Sequence, residues 1–125
     1  MTLKKFFNPS SVAIVGASRT KGKVGYEILK SMLEGGYKGS IFPINPNTET
    51  IEGLKCYPDL ASIGQVPELV IISVPAQMVP EVMQQCAKIG NKAVIIITSG
   101  FKEVGQEGRE LEHRIIQIAK QARIR

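Results

Sequence analysis

Short apolar runs alternate along the chain with segments whose apolar residues recur every three or four positions. The first pattern is typical of buried strands and the second of amphipathic helices. The predicted strands cover residues 11–15, 41–44, 68–74 and 93–98. The predicted helices cover residues 24–33, 79–89 and 106–121. A short strand over 54–57 and one helical turn over 58–63 complete the expected elements.

The predicted strands are apolar throughout instead of alternating with polar residues. Continuous apolar strands occur in sheets that are covered on both faces, and alternation of strand and helix favours parallel pairing. The fold class is therefore predicted as α/β: a Rossmann-like, open, doubly wound parallel sheet formed by one domain over residues 1–125. Pro43 cannot donate to a ladder, so we expect it at a sheet edge or a strand end. Ligands of such sheets bind beyond the carboxyl ends of the strands.

The loop after the first predicted strand is rich in glycine and basic residues. Five basic residues and no acid occur in the first 25 residues, whereas the remaining charges of this +5 chain balance. Three of those five lie in the loop, and the predicted helix behind it offers free N–H groups to an anion. This arrangement suits a small polyanion such as a phosphate group. The candidate phosphate-binding residues are Gly16, Ala17, Ser18, Arg19, Lys21, Lys23 and Gly25.

Composition argues against a membrane-spanning, disulfide-rich or nucleic-acid-binding class. The longest apolar run, residues 93–97, is far shorter than the roughly 20 residues of a membrane span. No apolar signal segment follows Lys4 and Lys5. Cys56 and Cys86 lack metal-type spacing and indicate reduced thiols, so we expect a cytoplasmic protein. We predict no metal site and no nucleic-acid or membrane partner.

The other strand ends add small and hydroxyl-bearing residues to the same sheet edge. A dinucleotide fingerprint would need glycines where Ser18 and Lys21 stand, and an acid where Asn45 ends the second strand. NAD is therefore disfavoured, and the spacing of a P-loop is absent. The further candidate ligand-binding residues are Asn45, Asn47, Ser73, Val74, Pro75, Thr98, Ser99 and Gly100.

Several short motifs, none specific alone, form a specific set. They are Gly16-Ala17-Ser18 with Gly25, Pro43-Ile44-Asn45-Pro46, Gly53-Leu54-Lys55-Cys56-Tyr57-Pro58, Ser73-Val74-Pro75 and Thr98-Ser99-Gly100-Phe101. The opening Phe7-Asn8-Pro9-Ser10-Ser11-Val12 belongs with them. Over essentially all 125 residues the chain resembles the N-terminal CoA-binding domain of NDP-forming (ADP-forming) acyl-CoA synthetases, relatives of the succinyl-CoA synthetase alpha subunit.

The resemblance implies that Ser18, Arg19 and their loop neighbours hold the phosphates of CoA or an acyl-CoA. It implies that residues 73–75, with Thr98 and Ser99, line the path of the pantetheine arm. In that family acyl-CoA and phosphate react through an acyl phosphate and a phosphohistidine to give a nucleoside triphosphate. The implied parent is an acid–thiol ligase with downstream ligase domains or a beta subunit as partners. This chain alone is expected not to be catalytic.

Two departures from the family pattern matter. The family often has a lysine after the Asn-Pro pair, where Asn47 stands here, so Lys21 or Lys23 is expected to compensate. The family also continues beyond the last helix with another strand. We therefore expect a truncated N-terminal piece whose sheet lacks its last strand, with marginal stability or a homodimer through the open edge. His113, the single histidine, is expected to be a solvated surface residue and not the phosphohistidine.

Three alternatives stay open from the sequence. The chain could be a stand-alone CoA-binding regulatory protein, or the CoA-binding domain of a lysine acetyltransferase fusion. It could also be an NADP-binding oxidoreductase domain, since the basic loop would suit the extra phosphate of NADP.

Overall fold

The computed structural model describes residues 9–97 and 106–124, with side chains from residue 109 in the second range. The strands are β1 (Ser11–Val15), β2 (Ser40–Ile44), β3 (Thr50–Ile51), β4 (Leu54–Lys55), β5 (Leu69–Ile72) and β6 (Val94–Ile96). The helices are α1 (Val24–Glu34), α2 (Val79–Ile89) and α3 (Gln106–Ala122). Two 3-10 turns, Ala61–Ile63 and Ala76–Met78, lie between them.

Four strands form one parallel sheet in the order β2-β1-β5-β6. Helix α1 connects β1 to its neighbour β2, and α2 connects β5 to β6. The two central strands are therefore β1 and β5, with β2 added beside β1 on one side and β6 beside β5 on the other. In open α/β sheets the crevice at this reversal is where ligands bind. The predicted α/β, doubly wound parallel sheet is confirmed.

The sheet is covered on both faces, as the continuous apolar strands predicted. Every residue of β1 and of β5 is buried. Val12 and Ile14 belong to the core cluster that includes Leu29 of α1, whereas Ala13 and Val15 belong to the cluster formed with α2 and α3. Because successive strand residues point to opposite faces, one apolar run supplies both clusters.

The short strands β3 and β4 form an antiparallel hairpin beside β2. Thr50 lies opposite Lys55 in this pair. Immediately after β4, the Tyr57 N–H donates to the Pro43 carbonyl (2.9 Å), and the Asn45 N–H donates to the Tyr57 carbonyl (2.9 Å). The hairpin thereby attaches to the carboxyl end of β2, which is an edge strand of the four-stranded sheet, as the proline predicted.

The predicted elements agree with the structure apart from their ends and two omissions, strand β3 and the 3-10 turn Ala76–Met78. The helix predicted over 79–89 has the observed bounds, and the other two end one residue later than predicted. The strands predicted over 68–74 and 93–98 are shorter in the structure, although residue 98 lies outside the described ranges. The short strand over 54–57 is observed as Leu54–Lys55, and the helical turn as a 3-10 turn.

Within residues 9–97 and 106–124, no helix combines the length and apolar character needed to cross a membrane. The same part of the chain contains no group of three or more His, Cys, Asp or Glu residues that could hold a metal ion.

Candidate functional site

The carboxyl ends of β1 and β5 meet at Gly16 and Ser73. Gly16 has a φ of +92°. A Cβ added there would lie 2.7 Å from the carbonyl oxygen of Ser73 and 2.9 Å from the Oγ of Ser73. The Ser73 N–H and hydroxyl both donate to the Val15 carbonyl, at 2.9 and 3.2 Å. Both the backbone conformation and this close approach therefore require glycine at position 16.

Helix α1 begins directly against this turn. A Cβ added at Gly25, in the first turn of the helix, would overlap the Gly16 carbonyl oxygen. The residue at the helix N-cap, Lys23, makes no side-chain capping hydrogen bond. The first N–H groups of α1 thus lack a capping side chain, and with the helix dipole they form an environment that favours an anion.

The loop between β1 and α1 is organised by hydrogen bonds within the loop itself. The Ser18 Oγ accepts a hydrogen bond from the Thr20 N–H (3.0 Å), and the Lys23 N–H donates to the Thr20 carbonyl (3.2 Å). The side chains of Arg19, Lys21 and Lys23 are exposed. The loop therefore presents three exposed positive charges around a backbone whose shape is set independently of them.

Asn45 connects the loop after β2 to the loop after β1. Its Nδ2 donates to the Ala17 carbonyl (2.8 Å), and its Oδ1 accepts from the Asn47 N–H (2.8 Å). Both ends of the amide are thus occupied within the protein. The structure gives Asn45 a positioning role, and a direct contact of Asn45 with a ligand stays a prediction.

These elements surround a cleft of about 500 Å³ at the crevice between β1 and β5. Eight residues predicted from the sequence line it, namely Gly16, Ala17, Ser18, Asn45, Asn47, Ser73, Val74 and Pro75. Arg19, Lys21, Lys23 and Gly25 do not line this cleft, although they belong to the same loop and helix start. The predicted Thr98, Ser99 and Gly100 lie outside the described residues.

The opposite wall of the cleft was not predicted from the sequence. It consists of Pro58 and of four residues on and just before α2, namely Met78, Glu81, Val82 and Gln85. Met78 is half exposed, and the Gln85 Oε1 accepts a long hydrogen bond from the Leu60 N–H (3.4 Å). The helical spacing of these four positions, directly after the strand end at Ser73, was the available signal.

A second cleft of about 540 Å³ shares Asn45, Pro46 and Pro58 with the first. The buried Cys56 lines it. Burial raises the pKa of the Cys56 thiol, and the positive charge of Arg19 partly opposes that rise. The higher pKa disfavours the thiolate, which is the nucleophilic form of cysteine.

The single histidine lines neither of these clefts. His113 is exposed on α3, beside Arg109 and Arg114, in agreement with the prediction of a solvated surface residue.

Comparison with known proteins gives a consistent family. The family model described as "CoA binding domain" matches residues 10–125. The Archaeoglobus fulgidus protein "Acetate--CoA ligase [ADP-forming] II" is 47% identical over 98% of this chain, which spans 18% of that protein. The Pyrococcus furiosus "Acetate--CoA ligase [ADP-forming] I subunit alpha" is 41% identical over 96% of the chain, which spans 27% of it.

A solved structure agrees in both sequence and fold. The apo form of the "dinucleotide forming Acetyl-coenzyme A synthetase 1" of Ca. Korarchaeum cryptofilum superposes with a TM-score of 0.91 at 42% identity. The match covers 98% of this chain and 26% of that one. The chain thus corresponds to only about a fifth to a quarter of the length of these relatives.

Proposed function

The chain belongs to the CoA-binding domain family, and on that basis we propose that it is the coenzyme A-binding module of an NDP-forming acyl-CoA synthetase. We further propose that residues 1–125 form one module of a longer protein and that the acid–thiol ligase reaction requires domains or subunits beyond it. CoA supplies the thiol that accepts the acyl group, and this module binds and orients it. The acyl substrate and nucleotide are recognised outside this chain.

The observation that carries the proposal is the contact between the β1 turn and the start of α1. A Cβ at Gly25 would overlap the Gly16 carbonyl oxygen and a Cβ at Gly16 would meet Ser73, so neither position has room for a side chain. The uncapped N-terminus of α1 faces the same turn. A close, backbone-lined cradle at a helix N-terminus fits the diphosphate of CoA.

The remaining parts of CoA fit the surroundings of this cradle. Ser73, Val74 and Pro75 line the cleft beside it and would guide the pantetheine arm, the role that Thr98, Ser99 and Gly100 are also predicted to share from the sequence. Arg19, Lys21 and Lys23 supply positive charge beside the cradle. Charge-assisted hydrogen bonds contribute roughly 1.5–3 kcal/mol each, or about ten- to a hundredfold in affinity.

Isothermal titration with CoA, dephospho-CoA and NADPH tests the proposal. CoA should bind more tightly than dephospho-CoA, because the basic loop contacts the additional 3′-phosphate. In the double variant Lys21→Glu/Lys23→Glu this difference should disappear. The matched control is Lys38→Glu/Lys88→Glu, since these lysines lie at or beyond the C-terminal ends of α1 and α2. Binding of NADPH without binding of CoA would refute the proposed function.

A further inference from the structure

We propose that Glu52 is a positioning residue of the CoA site, because its carboxylate completes a closed ring of contacts that connects the two ends of the phosphate-binding loop. The ring joins the tip of the β3–β4 hairpin to α1, to the loop of residues 16–25 and to the end of β2. The ligand, CoA, is taken from the proposed function, whereas the role of Glu52 is argued from the geometry of the hairpin.

Glu52 adopts a backbone conformation that few glutamates adopt. Its φ is +50°, and the following Gly53 has a φ of +82°. Two successive residues with positive φ form the two-residue hairpin turn in which Asn or Gly is strongly preferred at the first position. This backbone conformation is unfavourable for glutamate. Its presence here indicates that the Glu52 side chain has a role that offsets the cost.

The Glu52 side chain reaches across to helix α1. Its Oε1 accepts a hydrogen bond of 3.0 Å from the hydroxyl of Tyr26. Tyr26 is only 4% exposed and lies in the first turn of α1, next to Gly25. The Lys30 Nζ lies 5.8 Å from the centre of the Tyr26 ring, so the phenol is held between a carboxylate and an ammonium group.

The other contacts close the ring. Next to Tyr26, Gly25 packs on the Gly16 carbonyl. The Ala17 carbonyl accepts from Asn45 Nδ2, and the Asn45 N–H donates to the carbonyl of Tyr57, which follows β4. From Tyr57 the chain runs back through β4 to Glu52. Among these links, only the Glu52–Tyr26 hydrogen bond is made by two side chains.

A closed ring limits the conformations of the loop before the ligand binds. Opening it at Glu52 leaves the remaining contacts in place but frees the hairpin from the first turn of α1. The loop must then lose more conformational freedom when it binds CoA, and affinity falls without the loss of any group that touches the ligand.

The variant Glu52→Gly separates this role from a contribution to stability. Glycine adopts the observed φ freely, so the variant relieves the backbone while it removes the carboxylate. We expect an unchanged or higher melting temperature together with CoA binding weakened about three- to tenfold, which corresponds to one ordinary hydrogen bond. Glu52→Gln keeps an acceptor oxygen and should restore most of the affinity.

Two further variants complete the design. Tyr26→Phe removes only the hydroxyl from the same hydrogen bond, and its effect should not add to that of Glu52→Gly. Arg123→Gly is the matched control: Arg123 is the other non-glycine residue with positive φ in the described chain (+58°), and it follows α3 near Lys92, which bonds the Ala122 carbonyl. It should change stability but not CoA affinity.

Amide hydrogen exchange of the ligand-free protein provides a readout that does not depend on CoA. The amides of residues 16–25 should exchange faster in Glu52→Gly and Tyr26→Phe than in the wild type, and not in Arg123→Gly. Unchanged exchange, or CoA binding by Glu52→Gly as tight as that of the wild type, would overturn the inference. If the variants exchange faster but the wild-type protein binds no CoA, the ring of contacts would be supported and the proposed function refuted.

Discussion

Gly25→Ala is the substitution that tests the proposed phosphate cradle most directly. In most helices an alanine in place of glycine stabilises the first turns, by up to about 1 kcal/mol. Here the new methyl group would overlap the Gly16 carbonyl oxygen and would lie 3.0 Å from the Ala17 Cα. Both neighbours are backbone atoms of the turn after β1, so the clash cannot be relieved by rotating a side chain.

The size of the effect follows from these opposing contributions. Overpacking by one methyl group costs about 1–3 kcal/mol, and the gain in helix propensity offsets about 1 kcal/mol of it. We therefore expect a net loss of about 0–2 kcal/mol in the free energy of unfolding. The effect on binding should be larger, because the α1 N-terminus and the Gly16 turn must move apart to relieve this overlap and can no longer contact the same phosphate group.

Two other glycines separate backbone strain from steric clash, and Gly22, which lies outside the cradle, is the matched control. Gly22 has a φ of +89°, but a methyl group added there would have no neighbouring atom within 4 Å, so Gly22→Ala introduces backbone strain without a clash. We expect a loss of about 1–2 kcal/mol in stability there. Gly16→Ala combines positive φ with a 2.7 Å approach to the Ser73 carbonyl, and should cost about 2–5 kcal/mol.

Chemical denaturation and calorimetric titration with CoA together measure both effects. Gly25→Ala should lower CoA affinity at least tenfold while its stability stays within about 2 kcal/mol of the wild type. Gly22→Ala should show the reverse, with lower stability and nearly normal affinity at a temperature where it is folded. CoA affinity of Gly25→Ala within about twofold of the wild type would refute the view that the two glycines form the cradle.

Two further predictions concern pH. Burial raises the pKa of the Cys86 thiol to about 12, so the folded state favours the neutral thiol. Folding therefore becomes less favourable as pH rises above the ordinary thiol pKa near 9, where the unfolded chain begins to lose this proton. The free energy of unfolding of the wild type, relative to Cys86→Ala, should start to fall near pH 9 and keep falling toward about pH 12, and a constant difference over that range would contradict this. The Ser62 hydroxyl and, to a smaller extent, the Ser62 N–H donate hydrogen bonds to the Asp59 carboxylate and lower its pKa. The contribution of Asp59 to the free energy of unfolding should therefore be present near neutral pH and lost below about pH 4. Asp59→Ala should cost about 0.5–1 kcal/mol at pH 7 by denaturation and less at pH 3, and an equal cost at both would count against it.

Most of the fold could be predicted because its main elements carry strong local signals. Helix α2 has the predicted bounds because Pro80 lies in its first turn and Gly90 ends it in the left-handed conformation. Strand β5 could be found because four consecutive apolar residues are buried on both faces. Strand β3 was missed because it has only two residues and because Glu52, which forms the turn after it, is a residue that turn rules disfavour.

The candidate site could be predicted on one side only. Residues at strand ends were found because the carboxyl ends of parallel strands share one edge, whatever the details of packing. The wall formed by Met78, Glu81, Val82 and Gln85 depends on how α2 is rotated over the sheet. That rotation is set by the packing of Val82, Met83 and Cys86 in the core that α2 shares with the sheet and α3, and the helical spacing of the wall residues was its local signal.

Asn45 occupies the position where NAD-binding domains carry an acid, and it also holds together the loops after β1 and β2. An acid at the end of the second strand is expected where the ribose of NAD is bound. In this chain that position donates a hydrogen bond from Nδ2 to the Ala17 carbonyl. A carboxylate has no donor to offer, so an acid at position 45 would place two acceptors against each other and open the contact between the loops after β1 and β2. The amide that holds the loop after β1 in place is therefore incompatible with the acid that would bind the ribose, and the contact that fixes this loop is itself what disfavours NAD.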